Sequence, residues 1–346
     1  MNFLKKILST FASNRLITVF LKASFTCILI AWLIDSGKLD FNQLTVFKSH
    51  LYLLIAIFTF WLTLGIFSGS FRWYYLIKGI GLKPKLTRTI QLTMVGLFFN
   101  TFMPGAVGGD LVKGIYIIRE QEKAKTAALL TVFLDRVFGL FGLFTIATIG
   151  ILADYSNIFT IPQLVFPASF TICIFIAFLT LLLAILFPTK LVDSFFITII
   201  NKNLFFSNFI DKTYSALIQY RTARIYLLYA WIFSIIIQGG IVAIYWNLTS
   251  LISNSEISFS NIAAVVPIGL LLSAIPLAPG GLGVGHVAFD KLYSLIQIQG
   301  GANIFNVVFL IQILVNLCGF LPYLMFRSQN QNKQVIKTTS FSSTSK

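Results

Sequence analysis

Charge is what this chain has least of. Only 11% of its 346 residues are charged, and 11 are acidic against 26 basic. Soluble domains carry about 25% charged residues, so this chain cannot clothe a water-facing surface. Histidine falls to two, His50 and His286, and cysteine to three, Cys27, Cys173 and Cys318, each cysteine inside an apolar run. That excludes a disulfide framework or a Cys/His metal site and leaves the cysteines as small core hydrophobes. The sequence has no GxxxxGK[ST] loop to cradle ATP phosphates and no convincing nucleophile–base set. No catalytic residue, metal or cofactor is therefore expected.

Hydrophobic residues fill the space. They make up 57% of the chain, and the mean hydropathy is +0.87. Runs of about 20 apolar residues read as membrane spans. Full spans are predicted near 16–34, 51–71, 126–151, 163–187, 225–249 and 303–326, with broken segments near 90–118 and 261–295. The first run follows Lys5 and Lys6, is too long for a signal core and has no small-residue cleavage site near Asp35. It is expected to stay as an anchor.

The net charge of +15 could suggest nucleic acid, but the basic residues cluster beside spans rather than in a patch. Cytoplasmic flanks collect Lys and Arg. With the N-terminus inside, Lys5, Lys6 and Arg15 fall on the inner side. So do the segments that carry Arg72, Lys83, Arg88, Lys113, Arg119 and Lys125, and those of Lys190, Arg221 and Arg327. The outer side receives Lys38, Lys48 and Lys291. Both termini are thus expected in the cytoplasm, and no nucleic-acid partner is expected.

This orientation gives the broken segments opposite senses. The first starts after Arg88 and ends before Arg119, both inside; the second starts after Glu256 and ends near Lys291, both outside. Each half then reads span, span, hairpin, span. The expected fold is an all-α polytopic membrane protein of six spans and two re-entrant helical hairpins in an inverted repeat. No sequence repeat is visible beyond the shared Pro-Gly breaks. The expected domains are a cytoplasmic segment 1–15, a transmembrane domain 16–327 with halves 16–151 and 163–327, and a polar, disordered tail 328–346. Within the second half, 188–224 reads as an interfacial segment, where Leu191, Val192, Phe195, Phe196, Ile199 and Ile200 fall at helical spacing.

The breaks carry the candidate site. Asn100, Pro104, Gly105, Gly108, Gly109 and Asp110 mark the first, and Pro276, Pro279, Gly280, Gly281, Gly283 and His286 the second. Glycine permits tight turning and close backbone approach. Pro104 is expected to stop one half-helix and Gly109 to begin the next, with Asp110 in its first turn and its free N–H groups favouring an anion. Asp135 and Arg136 lie inside the third span. A charge there costs roughly 2.5–3.5 kcal/mol on insertion scales, so it demands a partner or a wet cavity. Asp110 and Lys113 are the nearby candidates, either as a buried ion network or as headgroup contacts. His286 and Asp290 can share a helix face, with a structural histidine the commoner outcome. Gly65 and Gly69 form a GxxxG pattern that reads as helix packing.

Together, the Asn100-to-Lys113 pattern, Asp135-Arg136, and the run from Pro276 through Pro279, Gly280, Gly281 and Gly283 to Val284 resemble the flippase-like transmembrane domain of lysylphosphatidylglycerol synthases. The resemblance covers all but the two tails. It implies that Pro104–Asp110 and Pro279–Gly283 form re-entrant tips and that Arg136 is the family's intramembrane arginine. The chain departs from the pattern in two places. Lysine stands at 113 where arginine is usual, which removes bidentate phosphate contact, and His286 stands near a usual acidic residue. No soluble aminoacyl-transferase domain follows the last span, so synthesis of lysylphosphatidylglycerol is not expected.

The resulting expectation is a flippase-like transporter. It would move an anionic phospholipid or lipid-linked saccharide between leaflets of a prokaryotic cytoplasmic membrane, without an ATPase module. The implied substrate-binding set is Asn100, Pro104, Gly105, Gly108, Gly109, Asp110, Lys113, Asp135, Arg136, Pro279, Gly280, Gly281, Gly283 and His286. The alternatives are a membrane enzyme using lipid-linked substrates, or an anchoring partner of a cytoplasmic synthase or glycosyltransferase. A homo-oligomer is compatible with each.

Overall fold

A computed structural model describes residues 50–102, 108–121, 124–187, 214–253, 257–274 and 283–325. The chain divides into two compact units. One is Val46–Phe320; of the other, formed by Met1–Thr45 with Leu321–Lys346, only 321–325 are described, and they are helical.

Among the described residues the regular structure is helix alone, without strands. In chain order the main helices are α1 Leu51–Gly79, α2 Leu86–Phe102, α3 Gly108–Glu120, α4 Lys125–Ala153, α5 Pro162–Leu186, α6 Arg224–Ser253, α7 Phe259–Ser273, α8 Val284–Leu295 and α9 Gly301–Leu317. Five are long and apolar enough to cross a membrane: Leu51–Gly79, Lys125–Ala153, Pro162–Ala184, Arg224–Ile252 and Gly301–Met325. Large apolar side chains such as Phe133, Phe166 and Leu181 point outward. The protein is a multi-pass membrane protein. The expected span 16–34, the interfacial stretch 188–213 and the tail 328–346 lie outside the described residues.

Local chemistry explains the element ends. Helix α1 stops where Gly81 takes a φ of +75°, and Lys78 in its last turn suits the negative helix end. Pro162 opens α5 in its first turn, where a missing N–H costs nothing. The Ser258 hydroxyl caps α7 by accepting from the Ser260 N–H at 3.3 Å. Within α1, Trp61–Gly65 forms a π-helical turn, a local widening that is frequent at functional sites.

Helices α2 and α3 form an antiparallel hairpin. Lys113 lies beside Gly96, and Gly109 lies against Gly96 and Asn100. A Cβ at Gly109 would run into the Gly96 carbonyl, so the two backbones meet only because Gly109 has no side chain. At the far end of the hairpin, Arg88 Nε donates to Glu120 at 2.7 Å. Helices α7 and α8 pack together as a second pair, with the Phe289 ring against Gly269.

Helix α4 sets the level of both pairs. Gly114 of α3 lies at Leu129, Lys113 at Asp135 and Asp110 at Arg136, so α3 runs antiparallel to α4 from its N-terminal end. Helix α7 meets α4 from the other end, with Ala263 and Ala264 against Gly150. Its last residues, Leu270 and Ala274, share a cavity with Leu143, Leu140 and Gly139. The α2–α3 pair and helix α7 thus approach the middle of α4 from opposite ends.

Two assignments change. Arg72 and Lys113, expected in cytoplasmic flanks, lie within the helical body, with side chains only 14% and 5% exposed. Arg72 follows the last residue of its apolar run, but α1 continues to Gly79 because no turn residue intervenes. Gly65 and Gly69 border the cavity, and a Cβ at Gly69 would be 4.0 Å from both Ile237 and Thr93.

Candidate functional site

The cavity at the middle of α4 has a volume of about 320 Å³ and draws its walls from α1, α2, α3, α4, α6, α7 and α9. Its charged side chains are Arg72, Asp110, Lys113, Asp135 and Arg136. Asp135 is the hub. Its Oδ1 accepts from Arg72 Nε at 2.6 Å and its Oδ2 from Lys113 Nζ at 2.7 Å. Alone, that carboxylate would cost roughly 2.5–3.5 kcal/mol at the centre of a span; here each oxygen has a cation.

The cations are in turn fixed. Lys113 Nζ sits 4.4 Å from the Trp73 ring centroid, a cation–π contact, and Trp73 Nε1 donates to Thr131 Oγ1 at 3.1 Å. Arg72 Nη1 also donates to Ser234 Oγ at 3.4 Å and lies over Gly139, which has no side chain to displace it. Arg72 is the charged residue of this wall that the sequence reading left out of the site. Its only signal is an uninterrupted helical stretch from Ile66 to Gly79.

The second carboxylate, Asp110, lies in the first turn of α3. Its Oδ2 is 2.8 Å from Arg136 Nη2, and its Oδ1 is 4.0 Å from Lys113 Nζ. The Arg136 contact is close enough for an ion pair but out of line for a hydrogen bond, so Nη2 has no hydrogen-bond partner. The Arg136 side chain as a whole is 39% exposed although this nitrogen is buried. Arg136 is therefore the least committed of the cations in the cavity.

Neutral groups complete the wall. Trp61 Nε1, Thr93 Oγ1 and Gln238 Oε1 are buried, belong to lining residues and have no hydrogen-bond partner. Gln238 is oriented through its Nε2, which donates to the Gly139 carbonyl at 3.2 Å. Buried polar atoms are normally paired with protein or water, so such a cluster marks a wet or ligand-bearing space. Asn316, also in the wall, donates through Nδ2 to Thr101 Oγ1 at 3.1 Å and ties α9 to the end of α2.

The expected site residues divide. Asn100, Asp110, Lys113, Asp135 and Arg136 line one cavity. Gly108 and Gly109 are buried at the start of α3. The Gly109 N–H donates to Asn100 Oδ1 at 2.7 Å, so this N–H is capped from α2 rather than left for an anion. Pro104 and Gly105, and Pro279, Gly280 and Gly281, lie outside the described residues.

Gly283 and His286 do not join the cavity lining. Gly283 has a φ of +83° and opens α8. His286 Nδ1 accepts from the Gly283 N–H at 3.4 Å, and its ring stands edge-on to Phe305 at 5.0 Å. These contacts make it an end-of-helix structural residue. Asp290 is exposed and also lies away from the lining. Among the described residues, no group of His, Cys, Asp and Glu could hold a metal ion.

A helical membrane body with a charged chamber at its core defines a class of multi-pass membrane proteins with a buried polar site. The family model described as the lysylphosphatidylglycerol synthase TM region matches residues 17–321, and the chain belongs to that family. It is similar to a UPF0104 membrane protein of Pyrococcus horikoshii, at 21% identity over 265 residues, which is 72% of this chain and 78% of the relative. No solved structure matches the chain.

Proposed function

We propose that this protein carries a lipid headgroup, of a phospholipid or a lipid-linked saccharide, between the leaflets of a prokaryotic cytoplasmic membrane. The observation that carries the reading is the approach of the α2–α3 pair and of helix α7, from opposite ends of α4, to a cavity holding Asp110, Lys113, Asp135 and Arg136. Paired short helices of opposite sense, meeting at mid-depth around a polar site, are the architecture of alternating access. In this reading α2–α3 enters from the cytoplasm and α7–α8 from outside, with both chain termini cytoplasmic. The headgroup passes through the cavity while its acyl tails stay in lipid.

Each group has a place in that passage. Arg136 meets the phosphate, since it is the cation with a hydrogen-bonding nitrogen to spare. Asp110 stays paired with Arg136 as its internal counter-ion, while the unused hydrogen-bonding capacity of Nη2 serves the phosphate. Arg72, Lys113 and Asp135 form the fixed frame that holds α1, α3 and α4 together around the passage.

The test is leaflet exchange in vesicles containing the purified full chain and a trace of fluorescent anionic lipid. Exchange above that of empty vesicles, reduced by Arg136→Ala in a protein that still elutes as a single species, is the expected result. No rise over empty vesicles with phospholipid or lipid-linked saccharide would remove the transport reading and favour an anchoring role.

A further inference from the structure

Resting on that transport reading, we infer that the cavity selects a phosphodiester headgroup with one net negative charge and free hydroxyls, and discriminates against a headgroup bearing an amine. Two independent observations point the same way.

The first is the charge balance of the wall. Among the described residues, Arg72, Lys113 and Arg136 face Asp110 and Asp135, so one positive charge is left over. A single phosphodiester restores neutrality. An ammonium on the same headgroup undoes that balance, and no carboxylate is idle to receive it. Both Asp135 oxygens are bonded, to Arg72 and Lys113, and Asp110 is paired with Arg136.

The second is the hydrogen-bonding character of the neutral wall. Trp61 Nε1 can only donate, Gln238 Oε1 can only accept, and Thr93 Oγ1 can do both. All three lack a partner, and Thr93 is only 7% exposed. A hydroxyl both donates and accepts, so glycerol or sugar hydroxyls can satisfy the whole set. An ammonium offers no acceptor and would leave the Trp61 N–H unmatched. The charged end of the cavity therefore reads the phosphate, and the neutral end reads the polyol. A glycerol-headed phospholipid and a prenyl-phosphate monosaccharide share this chemistry.

The experiment compares fluorescent phosphatidylglycerol, a prenyl-phosphate hexose and phosphatidylethanolamine. Each is measured for leaflet exchange in phosphatidylcholine vesicles and for retention on the detergent-solubilised protein by native mass spectrometry. One or both hydroxyl-bearing lipids should exceed phosphatidylethanolamine about tenfold or more in both readouts; which of them does so identifies the source. Joint replacement Thr93→Val with Gln238→Leu should cut the preference several-fold in both readouts. Gln238→Met, closer in length, replaces the leucine variant if that protein aggregates. Equal exchange and retention of all three lipids overturns the inference and leaves transport standing. Tenfold selective retention without exchange upholds the inference and removes transport. Neither exchange nor selective retention removes both. A preference undiminished by the double replacement overturns the polyol half of the inference.

Discussion

The two helix pairs share a plan and differ in chemistry. The α2–α3 pair brings Asn100, Asp110 and Lys113 to the cavity and closes on itself through Gly96 and Gly109. The α7–α8 pair brings only Leu270 and Ala274 to the same space. Its own contacts are aromatic. Phe289 stacks with Tyr245 and with Phe305, each at 5.0 Å between centroids, and Tyr293 Oη is 3.1 Å from Thr249 Oγ1. The charged groups come from the first half of the molecule; the second half lines the space with the apolar end of α7 and with neutral polar side chains such as Gln238 and Asn316. The opposed pairs are not chemically equivalent: a charged one faces an apolar one.

This comparison is sharpened first at its ionic hub. Asp135→Ala leaves Arg72 and Lys113 buried without their shared carboxylate, and losing one partner of a buried ion pair costs about 3–5 kcal/mol. The expected outcome is loss of monodisperse protein, read by fluorescence-detected size exclusion. Near-normal yield and melting would mean that the network does not hold the first pair in place.

The glycines come next. Gly109→Ala drives a methyl group into the Gly96 backbone carbonyl, which cannot rotate away as a side chain would. Overpacking of this kind costs typically about 1–3 kcal/mol and sometimes more. Gly283→Ala meets no atom within 4 Å and suffers only from its φ of +83°, at the lower end of about 1–3 kcal/mol. Thermal melting in detergent should rank Gly109→Ala below Gly283→Ala. The reverse order would contradict the close approach assigned to α2–α3.

The smallest structural effects separate the two polar residues once grouped as site candidates. Arg136→Ala should lower leaflet exchange about tenfold with little change in melting, since its side chain is partly exposed and loosely paired. His286→Ala should leave exchange within about twofold and cost up to ~1 kcal/mol, the size of a lost helix cap. Equal losses of exchange from both would place the second pair in the chemistry after all.

Much of this was legible in the sequence because membrane helices leave strong signals. The predicted spans from residue 51 onward match observed helices, and the broken runs became α2 with α3 and α7 with α8. Asp135 advertised a need for a partner because carboxylates are rare in spans, and Lys113 does sit on it. Arg72 did not advertise itself. It lies 63 positions from Asp135 and abuts the end of an apolar run, where a basic residue reads as a cytoplasmic flank. Trp61, Thr93 and Gln238 were equally silent, since an isolated polar residue in a span is ordinary until packing places it beside others. His286 stood in the candidate set with a structural histidine as the commoner expectation, and its position three residues after Gly283 makes it an end-of-helix partner.

The most direct test of the passage leaves every charge untouched. Gly69 borders the cavity, and a Cβ there would meet only the side-chain ends of Ile237 and Thr93, each at 4.0 Å and neither of them backbone, so Gly69→Phe is the substitution to plug the chamber. The measurement is leaflet exchange by this variant in vesicles, at a protein density matched to the unsubstituted chain and with a melting curve confirming the fold. Blocked exchange in a folded protein is the predicted result. Undiminished exchange would show that headgroups cross somewhere other than this cavity.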